Sequence, residues 1–244
     1  MRTSVDDSRA HESGTLSESA ALYRLISWLS PSYPIGAFAY SHGLETAIEA
    51  GLVSDAATLT AWLADILAEG TGRNDALFLR MAYEAGVDQD DEGLAHVAEL
   101  AAAFQPSAEL ALETTAQGRA FLDTTSAAWP TATLDRLRQV TQVPPALPVV
   151  VGCAAAGHGV PLGSTLHAYL HAFAANLTAA GVRLVPLGQT DGQQAIAAME
   201  QVIAETASQI LVLEKPLDHL ASNTFINDWC SMRHETQYTR LFRS

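Results

Sequence analysis

Residues 162–181 read LGSTLHAYLHAFAANLTAAG, and the apolar positions of this stretch recur every three or four residues. Such spacing lines one face of a helix, here formed by Leu166, Leu170, Phe173, Ala174 and Leu177. The stretch predicts a helix from about 162 to 180 that ends at Gly181. Because the same spacing dominates the rest of the chain, we predict an all-α fold, a single-domain bundle of about ten helices.

Local signals predict where several helices begin and end. Ser54 is expected to cap a helix that stops at Gly70, and another helix is expected from about 74 to 85. Thr190 and Gln193 fit a capping box at the start of a helix that runs to about 209. Only residues 182–185 and 210–213 read as short strands.

The chain divides into three parts by composition. Residues 1–15 are polar and predict a disordered leader, residues 16–230 predict the helical domain, and residues 231–244 predict a C-terminal tail that docks on a partner. No linker rich in Pro, Gly or Ser separates two halves of the helical part.

The charge balance excludes two classes of protein. The sequence has 27 Asp and Glu against 13 Lys and Arg, a net charge of −14, so it lacks the basic surface that nucleic-acid binding needs. Its one lysine, Lys215, lies between Glu214 and Pro216 and does not follow a glycine-rich loop. A P-loop nucleotide site is therefore excluded.

Cysteine usage and the N-terminus predict a cytoplasmic location. Cys153 and Cys230 lie far apart and form no CxxC pair, and the first residues do not resemble a signal peptide. The longest apolar run, residues 149–157, is too short to cross a membrane, so no membrane association is expected.

His167 and His171 are the strongest candidates for metal ligands. They lie four residues apart on a predicted helix and can face the same side. No neighbouring Asp, Cys or third His supplies further ligands, so we expect no stable metal site.

Three stretches carry more specific side chains than a helical bundle requires. The first, residues 30–45, is a loop with two prolines, and an ordinary well-packed loop would explain it equally well. The second, residues 182–189, places Arg183 in apolar company. The third, residues 232–244, interleaves arginine with aromatic residues, as interface anchors do, although a solvated tail is the alternative. We name them the Pro/Gly loop, the Arg183 turn and the C-terminal segment (residues 231–244).

These stretches resemble the UreF family of urease accessory proteins, in order and across nearly all of the chain after the leader. The resemblance rests on Ser30-Pro31, Pro34-Ile35-Gly36, Phe38 and Tyr40 to Glu45, on Arg183 to Gln189, and on Arg233 to Tyr238 with Arg240 to Ser244. Weaker similarities to the family occur at Glu113, at Gln117-Gly118 and at residues 168–170. The family often has Gly-Gly-Phe-Ser-Tyr where residues 36–40 read Gly-Ala-Phe-Ala-Tyr.

The resemblance implies a non-catalytic helper in the assembly of the nickel centre of urease. Proteins of this family are all-helical homodimers that bind the UreD/UreH accessory protein and the GTPase UreG and act on apo-urease. No cofactor is then expected to stay bound, and nickel is handled by the assembled complex. Transient nickel coordination by His167 and His171 stays open, because imidazole suits nickel.

The resemblance also assigns candidate binding residues to two surfaces. The surface for UreD/UreH is expected to comprise Arg233, His234, Glu235, Tyr238, Arg240, Leu241, Phe242 and Arg243. The surface that meets the GTPase or the second protomer is expected to comprise Pro34, Gly36, Phe38, Tyr40, Ser41, Gly43, Glu45, Arg183, Pro186 and Gln189.

An alternative is direct activation of the GTPase through an arginine finger. Such a residue speeds hydrolysis by about 10³–10⁵-fold. Arg183 and Arg233 are the candidates, although an arginine in apolar surroundings is as readily structural.

Overall fold

A computed structural model describes residues 16–244, so the predicted leader at 1–15 lies outside the described residues. Within this part the chain forms eleven α-helices and no strand, which confirms the all-α prediction. The helices are α1 (Glu18–Trp28), α2 (Leu44–Glu49), α3 (Ala56–Glu69), α4 (Thr71–Asp88), α5 (Asp91–Ala103), α6 (Ala108–Ala128), α7 (Ala132–Val140), α8 (Leu147–His158), α9 (Leu162–Leu184), α10 (Gln189–Val212) and α11 (Phe225–His234).

Helix α8 lies at the centre of the bundle, packed mainly against α4 and also against α6 and α7. Every residue from Pro148 to Ala155 is buried, as its small and apolar side chains require. At Gly152 the two backbones come so close that a Cβ atom would contact the carbonyl oxygen of Leu79. Glycine is therefore the residue that permits the α4 to α8 contact.

Two of the predicted helix starts are shifted. Asp55, rather than Ser54, caps α3, because its carboxylate accepts the N–H of Thr58 at 2.8 Å. At α10 the predicted capping box is wrong, since the helix begins at Gln189 and the Asp191 carboxylate accepts the N–H of Gly188 at 2.9 Å.

Neither of the two short β-like runs forms a strand, because both continue helices. Residues 182–184 form the last turn of α9, which passes through Gly181, and residues 210–212 form the end of α10. Leu59 of α3 packs against Gly181, so the small residue serves a helix contact instead of ending the helix.

Helix α1 buries fewer of its apolar side chains than their helical spacing suggests. Leu25 and Trp28 are buried, whereas Leu22 and Ile26 stay exposed beside α9. None of the helices between residues 16 and 244 is both long and apolar enough to cross a membrane.

Candidate functional site

The C-terminal segment lies on the Pro/Gly loop, so two of the three predicted stretches form one surface. The N–H of Arg243 donates to the carbonyl of Ala39 at 2.8 Å, and the N–H of Ser41 donates to the carbonyl of Ser244 at 2.9 Å. The N–H of His42 donates to the Ser244 hydroxyl at 3.3 Å. Phe242 and Ser244 are buried by these contacts, so this end of the segment is part of the fold.

Arg183 joins the Arg183 turn to the Pro/Gly loop and the C-terminal segment. Its Nη2 donates to the carbonyl of Phe38 at 3.0 Å, and its guanidinium carbon lies 4.7 Å from the ring centre of Phe242. Its Nε donates to Ala179 at 3.2 Å. Arg183, which the sequence places among apolar residues, therefore acts as a clamp that holds the Pro/Gly loop and the C-terminal segment together.

A largely buried network of charged side chains also holds the C-terminal segment in place. His234, which has no exposed surface, lies between two carboxylates: its Nδ1 is 2.6 Å from Glu109 Oε2 and its Nε2 is 3.1 Å from Glu45 Oε2. Arg240 pairs with the other Glu109 oxygen at 2.6 Å. Glu45 also accepts the N–H groups of Leu241 at 2.7 Å and Phe242 at 2.9 Å. We call these four side chains the Glu45 network.

The backbone around Glu45 is shaped to allow this arrangement. Gly43 has φ of +79°, and a Cβ there would lie 2.8 Å from the N of Ser231 on α11. His42, just before it, also has positive φ, at 58°. Close approach of α11 and a left-handed turn thus require glycine at 43.

A second buried cluster lies beneath Ser244. The Ser244 hydroxyl donates to Glu113 at 2.6 Å, and His42 Nδ1 lies 3.5 Å from the same carboxylate. Burial disfavours the charged imidazole, but the carboxylates of Glu113, Asp75 and Asp228 together outweigh it, so the pKa of His42 is raised. Tyr169 donates to Asp75 at 2.7 Å deeper in the cluster.

Burial dominates the titration of Asp75. It raises the pKa of this carboxyl from 3.8 to about 7, against the opposing hydrogen bond from Tyr169. Its Oδ1 has no hydrogen-bond partner among the described residues. A buried carboxylate of this kind destabilises the fold when it is ionised.

Asp75→Asn is expected to stabilise the protein by about 1–3 kcal/mol near pH 8. The folded state holds the proton of Asp75 more tightly than the unfolded state, so wild-type stability is full below the unfolded pKa and falls as pH rises towards 7. The stability of Asp75→Asn should not show this fall with rising pH. Urea unfolding between about pH 4 and 8 measures the stability of both proteins.

The matched control for this prediction is Asp65→Asn on α3, an exposed carboxylate. It should change stability by less than about 0.5 kcal/mol at every pH. An identical pH dependence in wild type and Asp75→Asn would contradict the prediction.

The outer side of the C-terminal segment is exposed and apolar. Tyr238 is fully exposed and Leu241 is 68% exposed. On the outward face of α11, Phe225, Trp229 and Met232 are also exposed. Trp229, Tyr238 and Arg233 line one cleft of about 350 Å³. We call residues 235–241 the arch, and the arch together with the outward face of α11 the arch surface.

The other sequence candidates divide between the interior and the surface. Tyr40, Ser41, Gly43, Glu45, His234 and Phe242 are buried, while Pro34, Pro186, Gln189, Arg233, Glu235, Arg240 and Arg243 are exposed. Phe38, a candidate of the second surface, is 68% exposed. The expectation of an accessible tail fails for His234, Phe242 and Ser244.

Sequence reasoning missed several residues of the site. Glu109 and Asp75 carried no local signal, since they reach the site only because α6 and α4 pack beside α11 and the Pro/Gly loop. Trp229 was detectable in the sequence as an aromatic residue three positions before Met232, and only its exposure on α11 singles it out.

The histidine pair on α9 is exposed. His167 Nδ1 lies 2.8 Å from the carbonyl of Gly163, and His171 lines the cleft between α1 and α9. Within residues 16–244, no group of three or more His, Cys, Asp and Glu side chains is arranged to hold a metal ion.

Comparison with known proteins agrees with the resemblance seen in the three stretches. The family model UreF matches residues 53–200. The "Urease accessory protein UreF" of Bradyrhizobium diazoefficiens is 52% identical over 93% of this chain and 93% of its own. The proteins of that name from Rhodopseudomonas palustris strain BisA53 and Bradyrhizobium sp. strain ORS 278 are 53% and 52% identical over 96% and 99% of this chain, and over 99% and 100% of their own lengths. This chain therefore belongs to the UreF family of urease accessory proteins.

Proposed function

We propose that this chain is a non-catalytic assembly component in the maturation of the urease nickel centre. In this proposal it bridges the UreD/UreH accessory protein and the GTPase UreG on apo-urease, and nickel is handled by the assembled complex. Membership of the UreF family supports the general role. The observation that carries the bridging role is the arch surface, an exposed apolar and arginine-rich patch on an acidic chain.

The arch surface has the composition of a protein-binding site. Contiguous exposed apolar side chains are uncommon on monomers, and tyrosine, tryptophan and arginine supply most binding hot spots. Tyr238 and Leu241 are free to enter a partner, whereas Phe242 is held in the fold. We assign the arch surface to UreD/UreH.

The Pro/Gly loop and the Arg183 turn form the second proposed surface. Phe38, Pro186 and Gln189 are exposed there, and the Arg183 clamp fixes the backbone that carries Phe38. We assign this surface to the GTPase or to the second protomer of a homodimer.

The arginine-finger alternative is weakened for Arg183. Its Nε and Nη2 donate to two carbonyl groups and its plane lies over Phe242, so its release would dismantle the clamp. Arg233 is exposed, with its guanidinium carbon 5.8 Å from the ring centre of Trp229, and is the candidate that remains.

Tyr238→Ala combined with Leu241→Ala is expected to weaken capture of UreD/UreH by about 100-fold or more. Two hot-spot side chains contribute roughly 1.5–2 kcal/mol each, and each 1.4 kcal/mol is a factor of ten. Because both side chains are exposed, the stability of the free chain should change by less than about 0.5 kcal/mol. Co-expression, co-purification and mass measurement of the complex test this result.

The control is Val87→Ala combined with Val212→Ala, which removes exposed apolar surface from the ends of α4 and α10. This variant should bind as wild type does. Wild-type capture by the Tyr238 and Leu241 variant would show that UreD/UreH docks elsewhere.

A further inference from the structure

Both ring nitrogens of His234 face carboxylate oxygens. Nδ1 lies 2.6 Å from Glu109 and Nε2 lies 3.1 Å from Glu45, and the imidazole has no exposed surface on which water could replace either partner. A neutral imidazole has one N–H donor and one lone pair. In that form one nitrogen would direct its lone pair at a carboxylate oxygen.

We propose that His234 is a proton-operated latch for the arch. As the imidazolium it donates to Glu45 and Glu109 at once, and this holds the arch in its docked position. When the proton is lost, one of the two hydrogen bonds is replaced by repulsion and the arch is released.

The two carboxylates that His234 joins are also those that hold the arch. Glu45 accepts the N–H groups of Leu241 and Phe242, and Glu109 pairs with Arg240. With His234 protonated, two positive and two negative charges balance within the Glu45 network. Without the proton, one buried negative charge is uncompensated, which is strongly destabilising.

Each element packed against His234 contributes a known charged group. Glu45 comes from α2, Glu109 from α6 and Arg240 from the C-terminal segment. Glu235, the next residue along the chain after His234, points elsewhere and accepts the N–H of Ala108. The other buried imidazole near the segment, His42, lies against Glu113 and Ser244 and needs a separate control.

The direction of the pH effect follows from the number of N–H donors on the imidazole of His234. The latch is closed while both ring nitrogens of His234 carry a proton, and it opens when one of these protons is removed, so raising the pH can only open it. The consequence for UreD/UreH capture rests on the proposed function, because the arch is the proposed binding surface. The latch itself is a property of the free chain and is tested without any partner.

The test is amide hydrogen exchange of the free full-length chain at about pH 6 and about pH 9, corrected for the intrinsic pH dependence of exchange. Protection of the Leu241 and Phe242 amides should fall by about tenfold or more at the higher pH. Amides of α8 should keep their protection. Ring ¹⁵N shifts of His234 should show both nitrogens protonated wherever these two amides are protected, and one nitrogen without a proton wherever their protection is lost.

His234→Gln separates the latch from other titrating groups. Glutamine offers one donor group and no charge, so the protection of these two amides should no longer change over this pH range. His42→Gln and the half-buried His158→Gln should keep the wild-type pH response. Circular dichroism confirms that each variant is folded.

Three results would overturn the latch. They are unchanged Leu241 and Phe242 protection in wild type across the pH range, the same fall in His234→Gln, or ring shifts that show a neutral imidazole while the two amides stay protected. Since the ring shifts are measured on the unmodified chain, the proposal stays testable even if His234→Gln does not fold. Failure of UreD/UreH capture with an intact latch would instead count against the proposed function.

Discussion

Glu45→Ala is expected to lower the free energy of unfolding by about 3–5 kcal/mol. Glu45 is 8% exposed and accepts three hydrogen bonds, from His234 and from the N–H groups of Leu241 and Phe242. Alanine removes the acceptor of all three donors, and a buried donor left unsatisfied, as those of His234 and Phe242 would be, costs about 1–3 kcal/mol. Urea unfolding followed by circular dichroism measures the loss.

Glu49→Ala is the matched control for this prediction. Glu49 lies on the same short helix but is exposed, so its removal should change stability by less than about 0.5 kcal/mol. Glu45→Gln keeps one acceptor oxygen and should fall between the two. Equal stability of Glu45→Ala and Glu49→Ala would contradict the role of the Glu45 network in holding the fold.

Gly152→Ala is expected to destabilise the protein by about 2–4 kcal/mol, although alanine is the better helix former by about 1 kcal/mol. The added Cβ would contact the carbonyl oxygen of Leu79 and lie 3.1 Å from the N of Tyr83. These are backbone atoms of α4, so α4 and α8 must move apart, and both helices are central to the core. Thermal and urea unfolding provide the measurement.

Gly163→Ala supplies the comparison, because a Cβ there meets only Leu211 Cδ1, at an ordinary 3.5 Å. This variant should be neutral or stabilised by up to about 1 kcal/mol. A Gly152→Ala protein as stable as Gly163→Ala would mean that the α4 to α8 spacing is not fixed by the glycine.

Much of the fold was predictable, because helix formation depends on local spacing. The period along α9 identified that helix before any contact was known. The ends of α9 and α10 were less predictable. Residues 182–184 and 210–212 have β-like composition, but they continue these helices because tertiary packing extends them. Gly181 shows the same limit, because its role is contact with Leu59.

The site was predictable only in part. The three stretches that the resemblance selected do meet in space, through the contacts of Arg183 and Ser244. Which of their side chains face inward was not predictable, since Glu45 and His234 look like surface residues in the sequence. Their burial depends on Glu109, which is more than 100 residues from His234 along the chain.

Anchoring at both ends changes the thermodynamics of the arch. A free tail loses about 1–2 kcal/mol of backbone conformational entropy for each residue that a partner orders. Here His234 fixes one end of the arch, and Phe242 to Ser244 fix the other. Most of that ordering cost is therefore met when the chain folds, and a partner that binds Tyr238 and Leu241 can use nearly the whole contact energy as affinity.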